Sequence, residues 1–144
     1  MEKVAILNDI HGNYYLLNKA LDYLKDKNIS KFLVCGDFLT DGPDDNKIID
    51  TLRSLNAEVI LGNREESVLN ITPSMSSENE KYYPLYYTKK NLTEENLEYL
   101  KKLPTSKMVT INNKKIFQTM WPYNKWICRN ATRTCKFNKR RSTE

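Results

Sequence analysis

The stretch Val4 to Asn13, "VAILNDIHGN", opens with four apolar residues and ends in polar ones. A short unbroken apolar run closed in this way reads as a strand buried on both faces. Asp9 and His11, the latter the single histidine of 144 residues, flank one residue just beyond it. From Asn13 to about Asn28 the apolar positions Leu17, Ala20, Leu21 and Leu24 recur at i, i+3, i+4 and i+7, one stripe of an amphipathic helix. The segment is thus strand, polar loop, helix.

The same unit follows again. Phe32-Leu33-Val34-Cys35 reads as a second buried strand stopped by Gly36. Pro43 suits a first helical position, with Asp44 and Asp45 in the favourable first turn and Ile48, Ile49, Leu52 and Leu55 on one side. Val59-Ile60-Leu61 is a third strand, stopped by Gly62. The order β-α-β-α-β predicts an α/β fold with a parallel sheet and right-handed crossovers. Ligands of such sheets gather at the carboxyl ends of the strands. That rule selects "NDIHGN", "GDFLTDGP" and "GNREE", which are expected to open on one edge.

Later signals are weaker. Ile71 to Lys81 is rich in Ser, Asn and Glu and reads as a mobile connection. "YYPLYYTKK" is dense in tyrosine and reads as a packed amphipathic surface over the loops. Thr93 is a candidate N-cap for a helix burying Leu97 and Leu100, with Pro104 beyond its end. Met108–Ile111 and Lys115–Thr119 flank Asn112-Asn113, a two-residue hairpin signal. After Thr119 no periodicity is found, so residues 1–119 are read as the domain and 120–144 as a basic, irregular tail.

Composition narrows the classes. Charged residues make up 28% and hydrophobic ones 40%, a globular balance. The longest early apolar run is far short of the ~20 residues of a membrane span. No secretory signal pattern is found. Three cysteines, Cys35, Cys128 and Cys135, form no CxxC and are odd in number, which favours a reducing cytoplasm. Cys35 reads as a small core residue. The formal charge of +5 belongs to the tail: residues 1–120 hold 16 Lys/Arg and 17 Asp/Glu, and residues 121–144 hold seven and one. Nucleic-acid binding therefore has support only from the tail, with "KRR" near its end.

The loop chemistry is that of oxygen and imidazole donors beside glycine. Asp9 and His11 can turn toward one ion, Asp37 can bridge two ions, and Asn63 offers a neutral amide oxygen. Such donors suit Mn, Fe or Zn better than a soft thiolate site would. Two ions about 4 Å apart can clamp an in-line displacement at phosphorus and supply a hydroxide nucleophile. A phospho-acceptor receiver domain shares the β-α-β-α-β order, but leaves His11 and "GNRE" without a role.

"DIHGN", "GDFLTDGP" and "GNRE", in this order and separated by amphipathic helices, resemble the calcineurin-like metallophosphoesterases, and most closely the small bacterial members. The resemblance runs to about Thr119. It implies a sandwich of two sheets flanked by helices and a centre for two divalent ions (Mn, Fe, Zn or Mg). It also implies a phosphomonoester or phosphodiester substrate, attacked by metal-activated water. In it Asp9 and His11 bind the first ion, Asp37 bridges, and Asn63 binds the second. Gly36, Asp41, Gly42 and Gly62 match positions that shape these loops. Arg64 stands where many members carry a histidine thought to act on the leaving group. Arginine is no general acid near neutral pH but can clamp a phosphate oxygen. The family draws further histidines from its second half, the first in a His-Gly step after the hairpin. Here Met120-Trp121 stand at that step and no histidine follows. The sequence reading is therefore of an incomplete second ion site and second sheet, an exposed apolar face, and an altered or prematurely closed reading frame after Thr119. A non-catalytic remnant that binds metal or phosphate is the alternative. Neither the substrate nor the oligomeric state is legible.

Overall fold

The computed structural model describes residues 3–120, together with 129–130 and 133–134. Cys128, Cys135, the Lys139-Arg140-Arg141 run and most of the basic tail lie outside the described residues. Strand β1 is Val4–Leu7, β2 is Lys31–Val34 and β3 is Glu58–Val59. They form a parallel sheet in the order β1-β2-β3, with Val4 opposite Lys31 and Val34 opposite Val59. Helix α1 (Tyr14–Asp26) joins the first two strands and α2 (Asp45–Ser54) the next two. The predicted alternation is present, with β2 in the centre and buried at Phe32, Leu33 and Val34.

One face of the sheet supports the main core. Val34 packs there with Leu17 of α1, Ile48, Ile49 and Leu52 of α2, and Phe38 and Leu39 of the second loop. Asp44 caps α2 without a side-chain hydrogen bond, while Ile48, Ile49 and Leu52 are fully buried. Each such burial is worth about 1.5–3 kcal/mol against about 1 for a good cap. The apolar face, not the cap, holds α2. The helix begins at Asp45, so Pro43 precedes it rather than occupying its first turn.

The opposite face carries the hairpin of β4 (Ser106–Ile111) and β5 (Lys114–Thr119). Asn112 and Asn113 turn it with φ of 49° and 62°, the left-handed pair a two-residue turn requires. Val109 and Ile111 pack on Leu33 and Val4. Gln118 is buried and donates from Nε2 to the carbonyls of Val34 (2.6 Å) and Glu58 (3.0 Å), tying the hairpin to β2 and β3. β1 departs from the prediction. Ile6 pairs in register with Leu33, on the face that meets the hairpin, yet it is 68% exposed. The hairpin covers β2 and leaves β1 open beyond Val4. Met108 and Phe117 are also exposed.

The remaining helices close one end. Helix α3 is Asn63–Asn70, α4 is Pro73–Glu78, α5 is Tyr83–Asn91 and α6 is Glu94–Lys102. The stretch read as a mobile connection thus holds α4, started by Thr72, whose hydroxyl accepts from the Met75 N–H, and by Pro73. α6 follows its prediction, with Thr93 accepting from the Asn96 N–H. In α5, Pro84 sits in the first turn, where its missing N–H costs nothing. Tyr82 and Tyr86 pack against the core, and Tyr83 and Tyr87 face outward.

Asp45 locks α5 to the second loop. Its Oδ1 accepts the Thr40 N–H at 3.0 Å and its Oδ2 the Thr88 hydroxyl at 2.8 Å. Burial pushes this carboxyl above the usual range, and the two donors offset that only in part. The folded state therefore holds the Asp45 proton more tightly than the unfolded chain does. Its contribution to stability declines as pH rises from the ordinary value of 3.8 through the raised folded value. Asp45→Asn should remove this dependence. Urea midpoints measured from about pH 4 upward should fall for wild type relative to the variant, and parallel curves would refute the assignment.

Candidate metal centre

The three selected loops meet as expected. The His11 N–H donates to the Asp37 carbonyl at 3.1 Å, and the Gly12 N–H to the Phe38 carbonyl at 3.0 Å. Gly12 and Gly42 touch backbone to backbone, since a Cβ at Gly12 would stand 2.6 Å from the Gly42 Cα. The third loop closes on the second in the same way. A Cβ at Gly62 would lie 2.4 Å from both the nitrogen and Oδ1 of Asp37.

What holds these two loops together is Glu65. It is fully buried at the third position of α3. Its Oε2 accepts from the N–H groups of Asp37 (2.9 Å) and Gly62 (2.8 Å). Its Oε1 accepts from Phe38 and Leu39, both at 2.9 Å. Burial raises its carboxyl, and the backbone donors counter this in part. The role of Glu65 is absent from the sequence reading. The available signal was its place three residues after Gly62, from which a glutamate reaches back to the N-cap N–H.

Asp9, His11 and Asp37 are brought together, with one ligand atom of each within 4.8 Å of the others. His11 Nε2 lies 3.6 Å from Asp9 Oδ1, and Nδ1 lies 3.3 Å from Asp41 Oδ2. Nδ1 is buried, and its contact with Asp41 is too poorly aligned to be a hydrogen bond. Asp37 Oδ1 accepts the Arg64 N–H at 3.0 Å. Burial pushes the Asp37 carboxyl up first, and neighbouring Asp9 adds to this; the Arg64 N–H and His11 pull it down. All three backbones are left-handed, with φ of 53° at Asp9, 49° at His11 and 51° at Asp37. Such a conformation costs a non-glycine residue about 1–2 kcal/mol, and here the loop–loop hydrogen bonds hold it in place.

The other predicted residues stand on the second and third loops beside this cluster. Arg64 Nη2 pairs with Asp41 Oδ2 at 3.1 Å. Asp41 braces His11 and Arg64 together. Asn63 is exposed at the start of α3, beside Gly62, and its carbonyl accepts the Ser67 hydroxyl. Met120, at the end of β5, brings its sulfur to within 2.3 Å of where a Cβ on either Gly36 or Gly62 would stand. Its thioether therefore covers the two glycines that flank Asp37 in space.

One imidazole and two carboxylates at this spacing suit a divalent ion of hard or borderline character. The protein contacts Nδ1 of His11 through Asp41 and leaves Nε2 on the side of Asp9.

This geometry belongs to a known class. The calcineurin-like phosphoesterase family model matches residues 2–135, and the chain belongs to that family. An uncharacterized protein of Methanocaldococcus jannaschii is 31% identical over 119 residues, covering 78% of this chain and 46% of that protein. The crystal structure of a hypothetical protein from Pyrococcus horikoshii OT3 superposes with a TM-score of 0.69 at 26% identity, covering 81% of this chain and 54% of the other. A metallophosphoesterase from Sphaerobacter thermophilus shares the fold, with a TM-score of 0.62 at 23% identity over 74% of this chain and 43% of its own. The chain thus spans about half the length of these relatives. No helix among the described residues is long and apolar enough to cross a membrane.

Glu65→Gln tests the buried clamp. A glutamine must turn its amide NH2 toward two backbone N–H groups and leave them unpaired. The variant should lose about 3 kcal/mol of unfolding free energy in urea, at about 1–3 kcal/mol per unsatisfied group. A loss below about 0.5 kcal/mol, the ordinary surface range, would contradict the clamp.

Proposed function

We propose that the chain is a metal-dependent phosphoesterase whose ion is held by Asp9, His11 and Asp37. The observation that carries this is the convergence of those three side chains on left-handed backbone at one sheet edge. Bound there, a divalent ion supplies Lewis acidity toward a phosphoryl oxygen and lowers the pKa of a water. Asp37 is the candidate bridge to a second ion, and the amide oxygen of Asn63 is that ion's other ligand. Asp41 lies 3.3 Å from Nδ1 of His11 and supplies a negative charge on the side of the ring away from Asp9.

Arg64 is assigned to the substrate phosphate. Its guanidinium is partly exposed, and among the described residues its ion-pair partner at the rim is Asp41. A phosphate oxygen arriving beside that pair gains a charge-assisted hydrogen bond without leaving a buried charge unpaired. The substrate class is phosphomonoester or phosphodiester, the ion is Mn, Fe, Zn or Mg, and the compartment is the cytoplasm.

A second reading is favoured by one observation. The Met120 sulfur covers Gly36 and Gly62, the only histidine is already used at Asp9, and a thioether is a poor ligand for a hard ion. On that reading the chain binds metal or phosphate without turnover.

The test uses the full chain with a nitrophenyl phosphomonoester and diester, with and without Mn²⁺. Metal-dependent release of nitrophenol that falls at least about 100-fold in Asp37→Ala is the expected result. Manganese binding followed by electron paramagnetic resonance should show signal quenching that Asp37→Ala weakens. Binding without release would establish the second reading, and neither binding nor release would overturn both.

A further inference from the structure

A concavity of about 530 Å³ opens beside the metal centre and has no part in the proposal above. Its size falls within the roughly 300–1,000 Å³ of small-ligand sites. Its walls are Asp41 and Pro43 of the second loop, and Tyr83, Pro84, Tyr87 and Thr88 of α5. The two tyrosines are exposed, and their rings stand 6.2 Å apart at 30°. The site is held rigidly. Thr88 donates to Asp45, which also accepts from Thr40, so α5 is fixed against the loop that carries Asp41.

Asp41 belongs to both places. Its Oδ2 lies 3.3 Å from His11 Nδ1 and 3.1 Å from Arg64 Nη2, and the same residue is part of the lining of the concavity. The concavity, with its flat rings, is thus one residue away from the proposed place of the phosphate. Two prolines and two tyrosines offer faces for a planar group. The carboxylate offers only acceptors: among the described residues Asp41 Oδ1 takes no hydrogen bond, so it selects a ring that carries an N–H donor and disfavours a second anionic group.

We propose that this concavity is a subsite for a nucleobase-like ring of the ester substrate, stacked on Tyr83 and Tyr87 with an amino group donated to Asp41. It rests on the centre proposed above as the place of the phosphate. The substrate class is then a nucleotide rather than a sugar or glycerol phosphate.

Titration calorimetry of the Mn²⁺-loaded full chain with adenosine monophosphate and with ribose 5-phosphate tests it. Adenosine monophosphate should bind about tenfold more tightly, the scale of one base stacked on aromatic rings. Tyr83→Ala and Tyr87→Ala replace exposed side chains, so both variants should fold. Each should reduce the preference and leave ribose 5-phosphate binding unchanged. Equal affinities in the wild type, binding of neither compound, or a preference that survives in both variants would overturn the subsite. Preferential binding without phosphate release would keep the subsite and overturn the phosphoesterase reading. Hydrolysis of both compounds with equal KM would do the reverse.

Discussion

One buried carboxylate organises the edge on which everything else depends. Two strand ends and a helix start must approach within touching distance, and each brings backbone N–H groups that no ladder or helix can satisfy. Glu65 meets four of them at once, from Asp37, Phe38, Leu39 and Gly62. A buried carboxylate without partners costs several kcal/mol, but hydrogen bonds to a charged acceptor each return about 1.5–3. With four donors the balance no longer depends on a cation partner. The result is less a store of stability than a fixed geometry: Asp37 cannot move without stranding N–H groups in the core.

From that geometry the strain becomes intelligible. Asp9, His11, Asp37, Thr40 and Asp41 all have positive φ, an unusual density outside glycine. Asp tolerates this region better than branched or bulky residues do. Where even a Cβ is too much, glycine stands instead, as Gly62 does against the Asp37 nitrogen. Rules of local preference are broken together at the one place where donor atoms must be aimed rather than merely accommodated.

That contrast explains what could be read in advance. The β-α-β-α-β order, the stripe through Leu17 and the Asn112-Asn113 turn follow from period and turn chemistry, which are local. The meeting of Asp9, His11 and Asp37 followed from topology, because parallel strands bring their carboxyl ends to one edge. Other features needed knowledge of the opposite partner. Nothing in "VAILN" says that the hairpin stops short of Ile6, since an apolar run looks alike whether covered on one face or two. Glu65 looked like a surface residue because its neighbours Arg64 and Glu66 are charged, and charge conceals a buried acceptor. Helix α4 was masked by its three serines, although Thr72-Pro73 carried a start signal.

Asp37 shows how structure and chemistry share a single side chain. Its Oδ1 already accepts the Arg64 N–H, and its own N–H is spent on Glu65. A carboxylate oxygen has two lone pairs, so, counting hydrogen bonds among the described residues, one on Oδ1 and both on Oδ2 remain for ligation. The Arg64 hydrogen bond therefore aims the carboxylate without consuming its capacity to bind an ion. Because that donor is a backbone amide, the aim survives replacement of the arginine side chain, and the guanidinium is left free to serve the rim with Asp41. Positioning by main chain and chemistry by side chain are separated within one residue, which lets the loop stay fixed while the substrate-facing groups vary.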